Sequence, residues 1–481
     1  MRVPSRGLAA SVIGCVLVLA AQAGPVSADG SGDSVTGTLV ETVADDFAAG
    51  ADVEGVGVIP DGDPSAFVPL AGVTAGDLAA TAGDRVRVRG TLRRGSLAVR
   101  PSGVAALSDG ASADASDGPG TAGPGTDGPE TAEVTTSTSV LAITVKFSDS
   151  STTPESTSSI RTKLFGESGS VADYYSEVSA GQETLTGTVR GPYTITRNDS
   201  GCGYEDYVCW SIQADAKAKA AGVDPASYDH VMVIWPTTST YGWAGLGHID
   251  GPRTWINQTT PSVLVMTHEL GHNFGLHHAS ALRCRDGSGA RVAMSSRCST
   301  AGLEYADPFS AMGNRSTGLH HAIHRQDLGF LPMTTIPRDT SATVDLAPLY
   351  ASSGVRALRI PRDGSSSYVV EYRRPFGSFD VFSGSSAVAT GLTIRIDRGT
   401  VNRSRTETWL VDTTPETDDF RDAPLQVGAT FADPATGMRL SLDRRTDTVA
   451  TVSVTWPVTW RDTAADGLVR AGRPDWRPPG S

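Results

Sequence analysis

The run His268-Glu269-Leu270-Gly271-His272-Asn273-Phe274-Gly275-Leu276-His277-His278 gathers the residue types that a metal hydrolase needs. It has the form H-E-x-x-H-x-x-G-x-x-H. Residues four apart share one face of a helix, so His268 and His272 can offer two imidazole nitrogens to one ion. Glu269, beside the first of them, is placed to take a proton from water. Gly275 tolerates a positive φ, which stops the helix and turns the chain back. His278 can then supply a third nitrogen, leaving a fourth tetrahedral position open, as catalytic zinc sites do and closed structural sites do not. Neighbouring side chains point in different directions, so one of His277 and His278 faces the metal; counting from Gly275 favours His278. By composition, the full pattern would arise by chance only roughly 10⁻⁵ times in such a chain.

These residues need a helix and a floor. Thr260-Pro261 is a good helix start, and Val263, Met266, Leu270 and Phe274 form an apolar stripe behind the metal face. Downstream, Glu304-Tyr305-Ala306-Asp307-Pro308-Phe309-Ser310-Ala311-Met312-Gly313-Asn314 places a methionine in a tight polar turn. All nine histidines lie between His230 and His324. His320, His321 and His324 fall on an expected helix and, like His230 and His248, are read as structural or surface residues.

With the Met312 turn added, the run from about 138 to 335 resembles the gametolysin family of metzincin proteases. The resemblance is carried by AITVKFSD, VADYYSEVSAGQETLTGTVRGPY, GWAGLGHIDGPRTWIN, HELGHNFGLHHA, EYADPFSAMGN and DLGFLP. It implies one catalytic Zn²⁺ held by His268, His272 and His278, a zinc-bound water activated by Glu269, and Met312 as the Met-turn under the site. It implies an α/β catalytic domain, a mixed twisted sheet with an active-site helix. Astacins and serralysins carry a Tyr two residues after that methionine; here the position is Asn314, so the helper for the oxyanion is unassigned. Structural Ca²⁺ has no nonapeptide repeat to support it.

The remaining chain divides by composition. Arg2, Arg6 and the apolar run from Leu8 to Ala21 read as a signal peptide over 1–28, so the expected protein is exported and secreted. Residues 29–107 read as a small β domain and candidate propeptide, with Val86 and Val88 alternating between Arg85, Arg87 and Arg89. Residues 108–136 hold six carboxylates and neither a basic nor an aromatic residue, the composition of a disordered linker. The zinc protease domain is expected over 137–338, a β-sandwich over 339–457 and a tail over 458–481. Strands are expected near 140–147, 184–196 and 229–235, with helices opening at Thr153-Pro154, at about 170–179 and at about 211–221.

Cys15 leaves with the signal. Cys202, Cys209, Cys284 and Cys298 remain, and an even number in an exported chain reads as two disulfides. Local pairing, Cys202–Cys209 and Cys284–Cys298, brackets two short loops. The net charge of −13 argues against nucleic acid as a partner. No later segment is long and apolar enough for a membrane span. The sequence sets no oligomeric state. The function expected is metalloendopeptidase action on extracellular or wall-associated proteins, the substrate extended along a sheet edge near Tyr241 to Asn257. The rival expectation is a wall- or matrix-binding protein using the protease fold as a scaffold; an intact Glu269 argues against it.

Overall fold

The computed structural model describes residues 33–93, 95–107, 136–199, 201–313, 318–401, 404–405 and 407–457. The expected signal segment, all of the linker but its last residue, the tail, Cys15 and Asn314 lie outside them.

An eleven-stranded sheet forms the body of the first half of the chain. Its amino-terminal strands are β1 (Asp33–Asp46), β2 (Ala51–Pro60), β3 (Val68–Ala71), β4 (Arg85–Arg93), β5 (Ser96–Ala98) and β6 (Val104–Ala106). Leu39, Val56, Val58, Val86, Val88 and Leu97 close a separate core between them. The arginines alternating with Val86 and Val88 stay exposed, as a period of two requires.

The second half of the sheet carries β7 (Thr136–Phe147), α1 (Thr157–Phe165), α2 (Val171–Ser179), β8 (Glu183–Ile195), α3 (Asp206–Ala220), β9 (His230–Trp235), β10 (Gly245–Ile249), β11 (Arg253–Asn257) and α4 (Val263–Asn273). β8, β7, β9 and β11 run parallel and β10 antiparallel to them. Both faces are covered, so these strands read as continuous apolar runs. Val140 and Ala142 pack with Ile160 of α1, Tyr174 and Tyr175 of α2 and Met266 and Leu270 of α4. Leu141, Ile143 and Val145 point to the other face, against Val208, Trp210 and Ala214 of α3.

Helix starts differ slightly from the sequence reading. α1 begins after Ser156 and α4 after Ser262, each Ser Oγ accepting from the amide three residues on, so the caps lie one to three residues beyond Thr153-Pro154 and Thr260-Pro261. α3 begins at Asp206, a turn earlier than expected, because Tyr207, Val208 and Trp210 bury their side chains.

Beyond α4 the chain enters a second sheet through β12 (Ala279–Arg285), which pairs in parallel with residues 408–411. Residues 334–335 likewise pair with 357–361. The sheet therefore runs across the expected boundary at 338/339 without a break. It has eight strands, and a further four-stranded sheet shares one core with it: Leu358, Val370 and Ile394 from one, Leu440, Val452 and Val454 from the other. Both local disulfides, Cys202–Cys209 and Cys284–Cys298, are formed. Among the described residues no helix is long and apolar enough to cross a membrane.

Candidate metal centre

α4 is buried along nearly its whole length, and His268 and His272 leave it on one face. Gly275 has φ +84°, so the helix ends and the chain folds back. That turn brings His278 to the pair, with ring centroids 5.3 Å from His268 and 5.0 Å from His272.

Each ring is fixed from behind. Nδ1 of His268 donates to the carbonyl oxygen of Ala311 (2.8 Å) and Nδ1 of His272 to that of Leu276 (2.7 Å). Nδ1 of His278 meets Oε1 of Glu304 (2.7 Å). A carbonyl only accepts, so Nδ1 of His268 and of His272 carries the proton and their Nε2 atoms present lone pairs to the centre, the arrangement a histidine ligand takes.

The centre also contains a residue the sequence reading did not select. Asp45, at the end of β1, has no exposed surface. Its Oδ1 lies 2.9 Å from Nε2 of His278, and its Oδ2 lies 3.3 and 3.6 Å from Nε2 of His272 and His268. One ligand atom from each of these four residues fits within a 4.8 Å spread. Nε2 of His268, Nε2 of His272 and Oδ2 of Asp45 are buried and have no hydrogen-bond partner. Buried acceptors converging on one point without a donor fit a cation, so the donor set suits a metal ion.

The electrostatics follow from burial and this crowding. Burial opposes ionisation of Asp45, yet His268, His278 and His272 hold its carboxyl well below the usual range. Burial lowers His272 to about 4. His278 is also buried, but Asp45 and Glu304 outweigh that and raise it to about 10. Burial, then the Asp45 charge, pushes Glu269 well above the carboxylate range. Neither carboxylate oxygen of Glu269 has a hydrogen-bond partner. Glu269 lies against β10 where Gly245 passes; a β-carbon at 245 would clash with its carboxylate, so the close approach of strand to helix requires glycine there.

Met312 is fully buried below α4, packed with Leu276 and Ala279. The loop that carries it is gripped by the second sheet. Arg395 pairs with Asp307 (2.7 Å) and Glu371 (2.6 Å), and Arg373 donates to the carbonyl of Phe309 (2.5 Å). Tyr305 lies in the same loop at φ +59°, a costly conformation for a bulky residue. Its ring stands 4.2 Å from that of His278 and its hydroxyl donates to Oδ1 of Asp45 (2.6 Å). Burial, then the charge of Asp45, raises its pKa, so the phenol stays a neutral donor.

The other histidines lie elsewhere. His277 is not in the four-residue cluster. His248 is buried between Phe67 and Trp255. His320 Nδ1 meets the Tyr174 hydroxyl (3.1 Å), and His321 precedes the short helix α5 (Ala322–Asp327) as its capping residue. The expected substrate edge contains β10, and the outer side of β10 is taken by β1, antiparallel, with Asp45 opposite Gly245.

The site can therefore hold a metal on three histidines beside a buried acid, under a sheet edge. Residues 139–342 match the family model of the gametolysin peptidases, M11. This segment is a gametolysin-family peptidase domain. The gametolysin match includes all three histidines, Glu269 and Met312 and makes the segment a metallopeptidase; residues 33–107 and most of the second sheet lie outside it. No curated protein matches the chain.

Asp45 and Tyr305 are the residues that sequence reasoning missed. Asp45 is 233 positions from His278, and nothing in the run Ala44-Asp45-Asp46-Phe47 links it to a histidine motif. Tyr305 stood in a motif piece already singled out, EYADPFSAMGN, but only the fold turns it toward the site.

Proposed function

We propose that the protein is an exported zinc-dependent endopeptidase that cleaves extracellular or wall-associated proteins. The observation that carries this reading is the convergence of three Nε2 atoms, each ring locked through Nδ1, with Glu269 next to the first on the same helix. Three nitrogens and an open position suit Zn²⁺, and both disulfides suit an oxidising compartment.

His268, His272 and His278 would hold the ion through Nε2. When bound, it supplies Lewis acidity, polarising a carbonyl and lowering the pKa of water. Glu269 takes a proton from the attacking water and passes it to the leaving amine nitrogen. Burial raises its pKa, which favours the protonated form that returns the proton to the leaving group. The Tyr305 hydroxyl, placed to bond an oxygen beside His278, donates to the scissile carbonyl oxygen as charge builds there. Backbone groups of β10, once β1 leaves them, hold the peptide as an added strand.

The test is Glu269→Gln. The variant should keep one zinc per chain and lose casein degradation, which in the wild type should be blocked by a chelator. Retained activity removes Glu269 from the reaction. Tyr305→Phe should lower kcat with little change in KM, since a bond made as charge develops acts on the transition state.

A further inference from the structure

We propose that Asp45 is a fourth ligand of the metal held by His268, His272 and His278, and that β1 occupies the substrate's place, so that the chain folds in a latent form. This rests on the metallopeptidase reading of the site.

Position 45 is fixed by backbone geometry. β1 pairs with β10 from Glu41 opposite Ile249 to Asp45 opposite Gly245, and the amide of Ala244 donates to the carbonyl of Asp45 (2.8 Å). This is the hydrogen bonding an extended substrate would use on that edge. Directly after Asp45, Oδ1 of Asp46 accepts from the amides of Ala48 and Ala49 and turns the chain away. The tip of the β1–β2 hairpin thus ends at the histidines. Phe47 closes the entry with its ring 4.9 Å from that of His268.

The side chain completes a ligand set. Its carboxylate faces all three Nε2 atoms and is fully buried. A second buried acid, Glu269, lies beside it. Two acids brought together out of water are costly unless a cation joins them. A divalent ion at the shared point supplies that charge, and carboxylate oxygen is a normal zinc donor. Asp45 also accepts the Tyr305 hydroxyl, the bond assigned above to the scissile carbonyl. Its carboxylate therefore takes both contacts of the reacting group, yet offers no bond to cleave.

The test uses the full chain loaded with Co²⁺, whose visible spectrum reports its ligands. Asp45→Asn should change the band pattern and bind acetohydroxamate at least about tenfold more tightly, because the wild-type carboxylate competes at the effective concentration of a tethered group. Asp45→Cys should give a thiolate-to-cobalt charge-transfer band, which only a residue touching the metal can produce. Unchanged spectra in Asp45→Asn with equal hydroxamate affinity, or a folded Asp45→Cys without that band, would overturn the proposal. Peptide cleavage is measured on the same chains after cutting at a protease site inserted within 108–136 and separating the released amino-terminal part by dilution. Shifted spectra without any cleavage would leave Asp45 as a ligand and remove the peptidase reading.

Discussion

A β-carbon on Gly271 would lie 2.5 Å from Sδ of Met312, so the glycine between the two α4 histidines is what lets the Met-turn sit directly beneath the helix. Helix propensity favours alanine there by up to about 1 kcal/mol. Overpacking a closed core costs about 1–3 kcal/mol. The sulfur is fully buried, so the second effect should win. Gly271→Ala is expected to lower the urea midpoint and weaken zinc retention; a more stable variant with full zinc would show that Met312 can move aside.

His278→Ala should lose tight zinc binding and activity together, whereas His277→Ala should keep zinc and much of its activity. Nε2 of His278 faces the centre and its Nδ1 is held by Glu304, while His277 is not in the ligand cluster. Zinc stoichiometry and peptide turnover on both variants decide the matter. Loss of metal from His277→Ala alone would overturn the assignment.

Arg395→Met should destabilise the protein by about 3–5 kcal/mol, because it strands the buried carboxylates of Asp307 and Glu371. Asp307 belongs to the loop of Tyr305 and Met312, so activity should fall with stability. Denaturant unfolding checks it, and a change below about 1 kcal/mol would mean that these acids find other partners.

Acid should unfold the protein through buried histidines. Burial, then nearby Arg253, lowers His248 to about 3, and burial, then His268, lowers His320 to about 3. Unfolded histidine titrates near 6.5, so between about 6.5 and 3 the unfolded chain binds more protons. Stability is then complete above 6.5 and falls as pH drops, by about 1.4 kcal/mol per pH unit for each histidine. His248→Phe should flatten that slope in denaturant titrations from pH 7 to 4; an unchanged slope would mean that His248 is not a source of the acid sensitivity.

If β1 is a plug, the active form should lack it. Intact mass of the active protein should correspond to a start within or after 108–136. A fully active product that starts at residue 24 or 29 would sink the latent form.

The legible parts were those set by local rules. The zinc-type motif specified a helix, a glycine stop and a third histidine within eleven residues, and both disulfides close loops of 7 and 14 residues. Apolar runs near 140–147 and 229–235 gave strands because burial on both faces removes alternation. What was hidden depends on contacts between distant segments. Asp45 reaches the histidines through strand pairing, and Arg395 reaches Asp307 across 88 positions. The pairing across residue 338 was hidden for the same reason: β12 gains its partner at 408–411, which no local pattern announces.

The seam between β1 and β10 is hydrogen-bonded over five register pairs, and in sequence the two halves are joined through 108–136. Cutting that tether does not dissolve the seam. It changes a unimolecular equilibrium into a bimolecular one, in which the released domain competes at its bulk concentration instead of a tethered, millimolar-scale one. Where the protein is concentrated it would remain blocked after cleavage, and on dilution the same molecules would open. Dilution, as much as proteolysis, would then set when and how far from its source the enzyme acts.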